Sequence, residues 1–194
     1  MENEKSIVIQ EKKFFKSKIE TCIKEFKKRN INAYYAEDRN DAKMQVLSLI
    51  EELLEETKAY SDSNVLGVAD SQSLHEISLF DTLMEWDAED KIDLINPFER
   101  LDDGRYTEFK DLPNGWIEDP APYQAAYIRV MNKMRNALLS DVFITGANAI
   151  TTKGHIVSTD GVGNRLAGVI FGPYRVIMLV GRNKIVSSVD ESYK

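Results

Sequence analysis

From about Ile9 to Arg29 the apolar residues Phe15, Ile19, Cys22, Ile23 and Phe26 return at intervals of three and four among lysines and glutamates. That spacing predicts an amphipathic helix with one face turned to a partner surface. Its lysines (Lys12, Lys13, Lys16, Lys18, Lys24, Lys27, Lys28) are interrupted by Glu11, Glu20 and Glu25, which suits a solvated face better than a membrane-binding one. Ile31, Ala33 and Tyr35 then alternate as in a short strand, and Asn40 or Asp41 is placed to cap a second helix carrying Ala42, Val46, Leu49, Ile50, Leu53 and Leu54.

The compact apolar run Asn64 to Ala69 (NVLGVA) ends in Asp70, Ser71, Gln72 and Ser73 and is followed by a helical pattern over Leu74 to Met84. A buried parallel strand that delivers a polar loop to a helix reads this way. Asp93 to Ile95 predicts another strand. Asn96 to Gly115, rich in Asp, Gly, Pro and Asn, predicts an irregular connection. Pro120 and Pro122 introduce a helix over Tyr123 to Leu139 with the apolar stripe Ala126, Val130, Met134, Ala137 and Leu138. Met131 and Met134 on it read as core.

In the last quarter, Asp141 to Thr145 (DVFIT) predicts a buried strand, and Thr152-Lys153-Gly154 a tight turn between two short strands that end near Val157. Gly163 to Phe171 predicts a short helix whose Ala167 and Gly168 permit close packing, and Arg175 to Val180 (RVIMLV) a fully apolar strand. Strands alternating with helices argue for a parallel α/β sheet covered on both faces.

Composition narrows the function classes. With 25 basic against 32 acidic residues the net charge is -7, which disfavours a nucleic-acid partner. The single Cys22 excludes an internal disulfide, a four-thiolate zinc site and an iron–sulfur cluster ligated by this chain. No stretch has the ~20 apolar residues of a membrane span. Met1 to Lys5 also runs into charge rather than an apolar signal core, so a cytoplasmic protein is expected. The 194 residues predict an N-terminal helical and strand extension over 1–60 and an α/β domain over 61–194.

Ligands of open parallel sheets bind beyond the carboxyl ends of the strands. Four polar clusters qualify: Asp70 to Glu76, including Ser71 and Ser73; Gly146 to Asn148; the loop Asp160 to Arg165 (DGVGNR); and Gly181 to Lys184, including Asn183. Gly161 and Gly163 allow unusual backbone angles, Asn164 and Arg165 supply donors, and together the clusters predict an anion site. Each member also has a plain structural role open to it. Asp160 and Asn164 can cap the helix, Asn148 can hold a turn, Arg165 can pair with a surface acid, and Lys184 can stand in solvent. His75 is placed to act as a base but shows no orienting partner in the sequence, and His155 has less to recommend it. DGVGNR lacks the third glycine of a dinucleotide loop, and there is no phosphate-binding P-loop, H-E-x-x-H or nucleophile elbow.

The string DVFITGANAIT, the Lys153-Gly154 turn and STDGVGNRLAGVIFGPYRVIMLVGRNKIV, together Asp141 to Val186, closely resemble the signature half of the LUD-domain (lactate utilization) proteins. The resemblance implies a Rossmann-like three-layer αβα sandwich of the sugar-phosphate isomerase/CoA-transferase superfamily. It also implies an accessory role in oxidising L-lactate to pyruvate, with iron–sulfur clusters on partner subunits and no cofactor held by this chain. A homo-oligomer is compatible with it. The positions that match the family's motifs are Asn148, Asp160, Gly161, Gly163, Asn164, Arg165, Asn183 and Lys184. Family members commonly carry a glycine-glycine-serine loop where this chain has Ala69-Asp70-Ser71, which implies weaker anion binding there. Asn148 stands where related isomerases carry an acid, and an amide is no general base. Two other readings remain open: a stand-alone enzyme on a sugar phosphate or acyl-CoA with Asp160 or Glu76 as base or nucleophile, and a non-catalytic regulatory module.

Overall fold

The structure, a computed structural model, describes residues 2–113 and 119–193. Asn114 and Gly115, at the end of the segment predicted to be irregular, lie outside the described residues. The amphipathic N-terminal pattern forms α1 (Glu2–Lys27), with Cys22 and Phe26 buried. No strand follows. Residues 31–36 run as chain that joins no sheet, because alternation makes a strand only where a neighbour takes up its backbone hydrogen bonds. α2 (Arg39–Thr57) begins earlier than the Asn40 or Asp41 cap expected from sequence: the N-cap is Asp38, whose carboxylate accepts from the Asp41 N–H at 2.9 Å.

The main sheet holds β1 (Val65–Val68), β2 (Asp93–Ile95), β3 (Val142–Gly146) and β6 (Arg175–Leu179) in the order β2-β1-β3-β6, and every pairing is parallel. Alternation along the strands sorts the core into two layers. Leu66, Val68, Val142, Ile144 and Ile177 face α2 through Val46, Ile50 and Leu54, together with Leu74, Leu79 and Leu83. Phe143 points to the opposite face, against Val130, Met134 and Ala137 from α5 (Ala121–Asn136) and the 3-10 turn after it. Helices therefore cover both faces of a parallel sheet, as its apolar strands require. β6 is an edge strand, and Val176 stays exposed despite the apolar sequence.

The helix predicted over Leu74 to Met84 is broken into α3 (Gln72–Glu76) and α4 (Leu79–Ala88), with Ser78 between them at φ 48°. Packing explains the break. Leu74 and Leu79 both have zero exposure in one core, yet on an unbroken helix five residues turn through about 140° and would aim them apart. The irregular connection before α5 contains a 3-10 turn at Thr107–Phe109 and is held by Arg105, whose guanidinium donates to the Phe109 and Leu112 carbonyls.

A second, three-stranded sheet of order β5-β4-β7 sits beyond the carboxyl end of the first. β4 (Ala149–Thr151) pairs antiparallel with β5 (Ile156–Val157) across the Lys153-Gly154 turn, and parallel with β7 (Ile185–Val186). The buried thiol of Cys22 reaches the Thr151 carbonyl at 3.6 Å, which ties α1 to this small sheet. Because β4 follows β3 and β7 follows β6, the small sheet draws the loops after those two strands together. α6 (Asn164–Ile170) returns to the main sheet, where Gly168 rests on the Phe143 ring.

Candidate functional site

Backbone direction puts the loops after β1, β3 and β6 at one end of the sheet, and side-chain contacts join them to the DGVGNR loop. Lys184, in the 3-10 turn Arg182–Lys184 after β6, donates from Nζ to Ser73 Oγ on α3 at 3.2 Å. Arg165, at the start of α6, donates from Nη2 to Asn148 Oδ1 at 2.9 Å and to the Thr159 carbonyl. Asn148 Oδ1 also accepts from the Thr159 N–H at 2.9 Å. A Cβ on Gly146 would lie 2.2 Å from Ser71 Oγ, so the end of β3 requires glycine for Ser71 to sit against it. The four polar clusters separated in sequence thus meet.

Two cations of this cluster, Lys184 and Arg165, are near enough to repel each other. The Lys184 ammonium is held below its ordinary value, first by partial burial and then by the nearby Arg165 charge, with Glu76 pulling the other way. Glu76 also takes an ion pair from Arg39 at 3.5 Å, so it does not serve Lys184 alone. Among the described residues, Ser71 Oγ and Arg165 Nε are buried with no hydrogen-bond partner. Such groups are costly to leave unmade, and an oxyanion would satisfy donors of both kinds.

Asp160 acts on its own loop. It accepts from the N–H groups of Arg165 at 2.8 Å, Leu166 at 3.1 Å and Val162 at 3.3 Å. Burial pushes its carboxyl up, but the backbone donors of Leu166, Gly163, Val162 and Arg165 outweigh that and hold it below the usual aspartate value. The first N–H groups of α6 are therefore satisfied from within, and the positive character of this loop comes from the Arg165 side chain. Both loop glycines have open space around them, but only Gly163, at φ 93°, has the left-handed geometry that favours glycine. Asn164 opens α6 half-buried. Asn183 is exposed, with Oδ1 turned over Gly181 rather than held by Ser73 or Arg165.

The structure supplies the partner that the sequence did not show for His75. Its Nε2 lies 3.2 Å from Asp70 Oδ1, and its ring stands 4.7 Å from that of Phe80. The other Asp70 oxygen is 3.8 Å from Arg100, which also covers the Tyr106 ring. The Asp70 carboxylate is therefore engaged from two sides, by the His75 imidazole of α3 and by Arg100 from the segment after β2. Arg100 escaped sequence reasoning because it lies in an irregular segment with no motif; the five-residue Asp70–His75 spacing was the available signal for the pair. His155 Nδ1 meets Thr151 Oγ1 at 3.2 Å in the small sheet. Among the described residues no group of three or more His, Cys, Asp or Glu converges as a metal site would require, and no helix is long and apolar enough to cross a membrane.

An open parallel sheet covered on both faces, with strand-end loops gathered round two basic side chains, defines a Rossmann-like α/β domain. A model of the LUD domain family matches residues 19–194, and the chain belongs to that family. The matched range takes in the end of α1 and all of α2 together with the sheet. Comparisons with curated proteins and with solved structures yield no match.

Proposed function

We propose that this LUD-domain chain binds a small anionic ligand, a carboxylate or a phosphorylated metabolite, between Arg165 and Lys184, and serves as an accessory subunit in the oxidation of L-lactate to pyruvate. The association of the family with lactate utilization supports the setting. The supporting observation at the site is the pair of neighbouring cations beside the buried, unpartnered donors Ser71 Oγ and Arg165 Nε. Asn148 orients Arg165, Ser73 orients Lys184, and Asp160 shapes the loop that presents Arg165. The electron-transfer step belongs to iron–sulfur partner subunits, since the one cysteine of this chain cannot ligate a cluster by itself. Localisation in the cytoplasm follows from the same reading.

Thermal unfolding with lactate, pyruvate, sugar phosphates and CoA tests the site. A ligand at 100 times its dissociation constant stabilises the fold by about 2.7 kcal/mol. The expected result is a shift with at least one carboxylate or phosphate that disappears in Arg165→Ala. If no compound shifts the wild type, or if every shift survives Arg165→Ala, the site is wrongly placed. Asp160 as a base or nucleophile in a stand-alone enzyme has little support from geometry, because its carboxylate is engaged by backbone N–H groups.

A further inference from the structure

Lys184 differs from the five lysines whose ion pairs are defined among the described residues. Lys16, Lys28, Lys58, Lys91 and Lys133 each meet a carboxylate within ion-pair distance. Lys184 Nζ instead meets a hydroxyl, Ser73 Oγ, from an element 111 residues away in sequence. An ammonium paired with a carboxylate loses that attraction when it loses its proton. An amine against a serine hydroxyl keeps a hydrogen bond in either state, because the hydroxyl accepts from the charged nitrogen and can donate to the neutral one. The residue is also partly buried near the Arg165 cation, and these two influences favour the neutral amine over the smaller opposing pull of Glu76.

We propose that Lys184 is a nucleophilic amine that forms an imine with the carbonyl carbon of a 2-oxo acid whose carboxylate lies against Arg165. The inference rests on the anion site described above and assigns its substrate class. Lys184 first gives its ammonium proton to solvent. The nitrogen lone pair then adds to the carbonyl carbon, forming the C–N bond as the C–O π electrons move to oxygen. After proton transfer from nitrogen and further protonation, that oxygen leaves as water, and an iminium cation remains. No electrons are gained or lost overall, so no oxidant is needed. The acid's own carboxylate meets the Arg165 charge and shields it from the new cation. Ser73 positions the amine, and Asn148 positions the guanidinium. A 2-hydroxy acid, having no ketone carbonyl, forms no imine and is held without a covalent bond, so the site would distinguish the two oxidation states of one carbon skeleton.

Reductive trapping of the full chain provides the test. The protein is incubated with pyruvate and cyanoborohydride, and intact mass and a peptide map are recorded. The expected product is one reduced pyruvyl group on Lys184, formed faster than on every other lysine. Its formation should be slowed by oxamate, whose amide carbonyl forms no imine, and absent with lactate. Lys184→Arg should abolish this adduct, with circular dichroism to confirm the fold; if that variant does not fold, the wild-type map and the oxamate competition decide alone. Labelling spread evenly over surface lysines, or no label on Lys184, overturns the imine. A pyruvate-dependent thermal shift without a Lys184 adduct removes only the covalent step, whereas the absence of a shift with every carboxylate and phosphate tested removes the anion site as well.

Discussion

Gly168→Ala sets two physical effects of opposite sign against each other at a position that also carries the site. On helix propensity alone, alanine in a helix interior should stabilise by about 1 kcal/mol. The structure opposes this. A Cβ at Gly168 would lie 2.5 Å from Cε1 of Phe143 and 2.8 Å from its Cδ1 and Cζ. Phe143 has 1 % exposure and is packed between the sheet and α5, so its ring has little room to retreat. Overpacking of a filled core costs about 1–3 kcal/mol, and contacts this short against so confined a ring belong in the upper half of that range. The net expectation is destabilisation of about 1–2 kcal/mol, or about 2–8 °C in Tm for a chain of this size. Urea unfolding measures it. Phe143→Leu in the same background should recover part of the loss that Gly168→Ala causes, relative to Phe143→Leu alone. Because α6 begins one residue before Arg165, the shift that relieves the overlap should also weaken ligand-induced stabilisation. If Gly168→Ala is as stable as the wild type or more so, the close approach of α6 to the sheet is wrong.

Asn148→Ala removes the acceptor shared by Arg165 and the Thr159 N–H; since Asn148 is exposed, stability should fall by only about 1 kcal/mol, while the thermal shift given by carboxylates should shrink markedly. Asp160→Ala uncaps the start of α6 and should cost about 1–2 kcal/mol in urea unfolding, with Asp160→Asn costing less. The carboxyl groups of Asp160 and Glu108 are both held below the ordinary range of aspartate and glutamate in the folded state. For Glu108, burial raises the value but the Lys133 contact at 2.5 Å and other donors outweigh it. Depressed carboxyl groups contribute stability that is fully present above their unfolded values and lost as pH falls through the folded ones. Stability should therefore decline below about pH 4, and Asp160→Asn combined with Glu108→Gln should flatten the decline; an unchanged acid profile would refute both assignments.

Much of the fold is legible in the local pattern. The runs NVLGVA and DVFIT are continuous because both faces of the parallel sheet are covered where they lie, and RVIMLV forms its strand at the sheet edge with Val176 exposed. The Lys153-Gly154 turn and the Gly168 contact also follow from residue chemistry. Where the sequence misleads, a non-local partner is responsible. Ile31, Ala33 and Tyr35 alternate but have no neighbouring strand. The periodicity from Leu74 onward looks like one helix until Leu74 and Leu79 are required in the same core, and that requirement breaks it at Ser78. Asp70 and His75 stand five residues apart and touch across the start of α3, but Arg100 joins them only because the loop after β2 folds back beside the loop after β1.

By itself the sequence determines which residues are apolar strands, which loops carry donors and cations, and that a single cysteine leaves this chain without the thiolates of a cluster. Tertiary structure alone decides how those donors are used. Asp160 and Arg165 belong to one loop, yet the carboxylate turns inward to backbone N–H groups while the guanidinium turns to Asn148 and the neighbourhood of Lys184. The reason is geometric. Hydrogen bonds act over about 3 Å, and residues as far apart as Ser73 and Lys184 come within that reach only when parallel strands deliver their loops to the same end of one sheet.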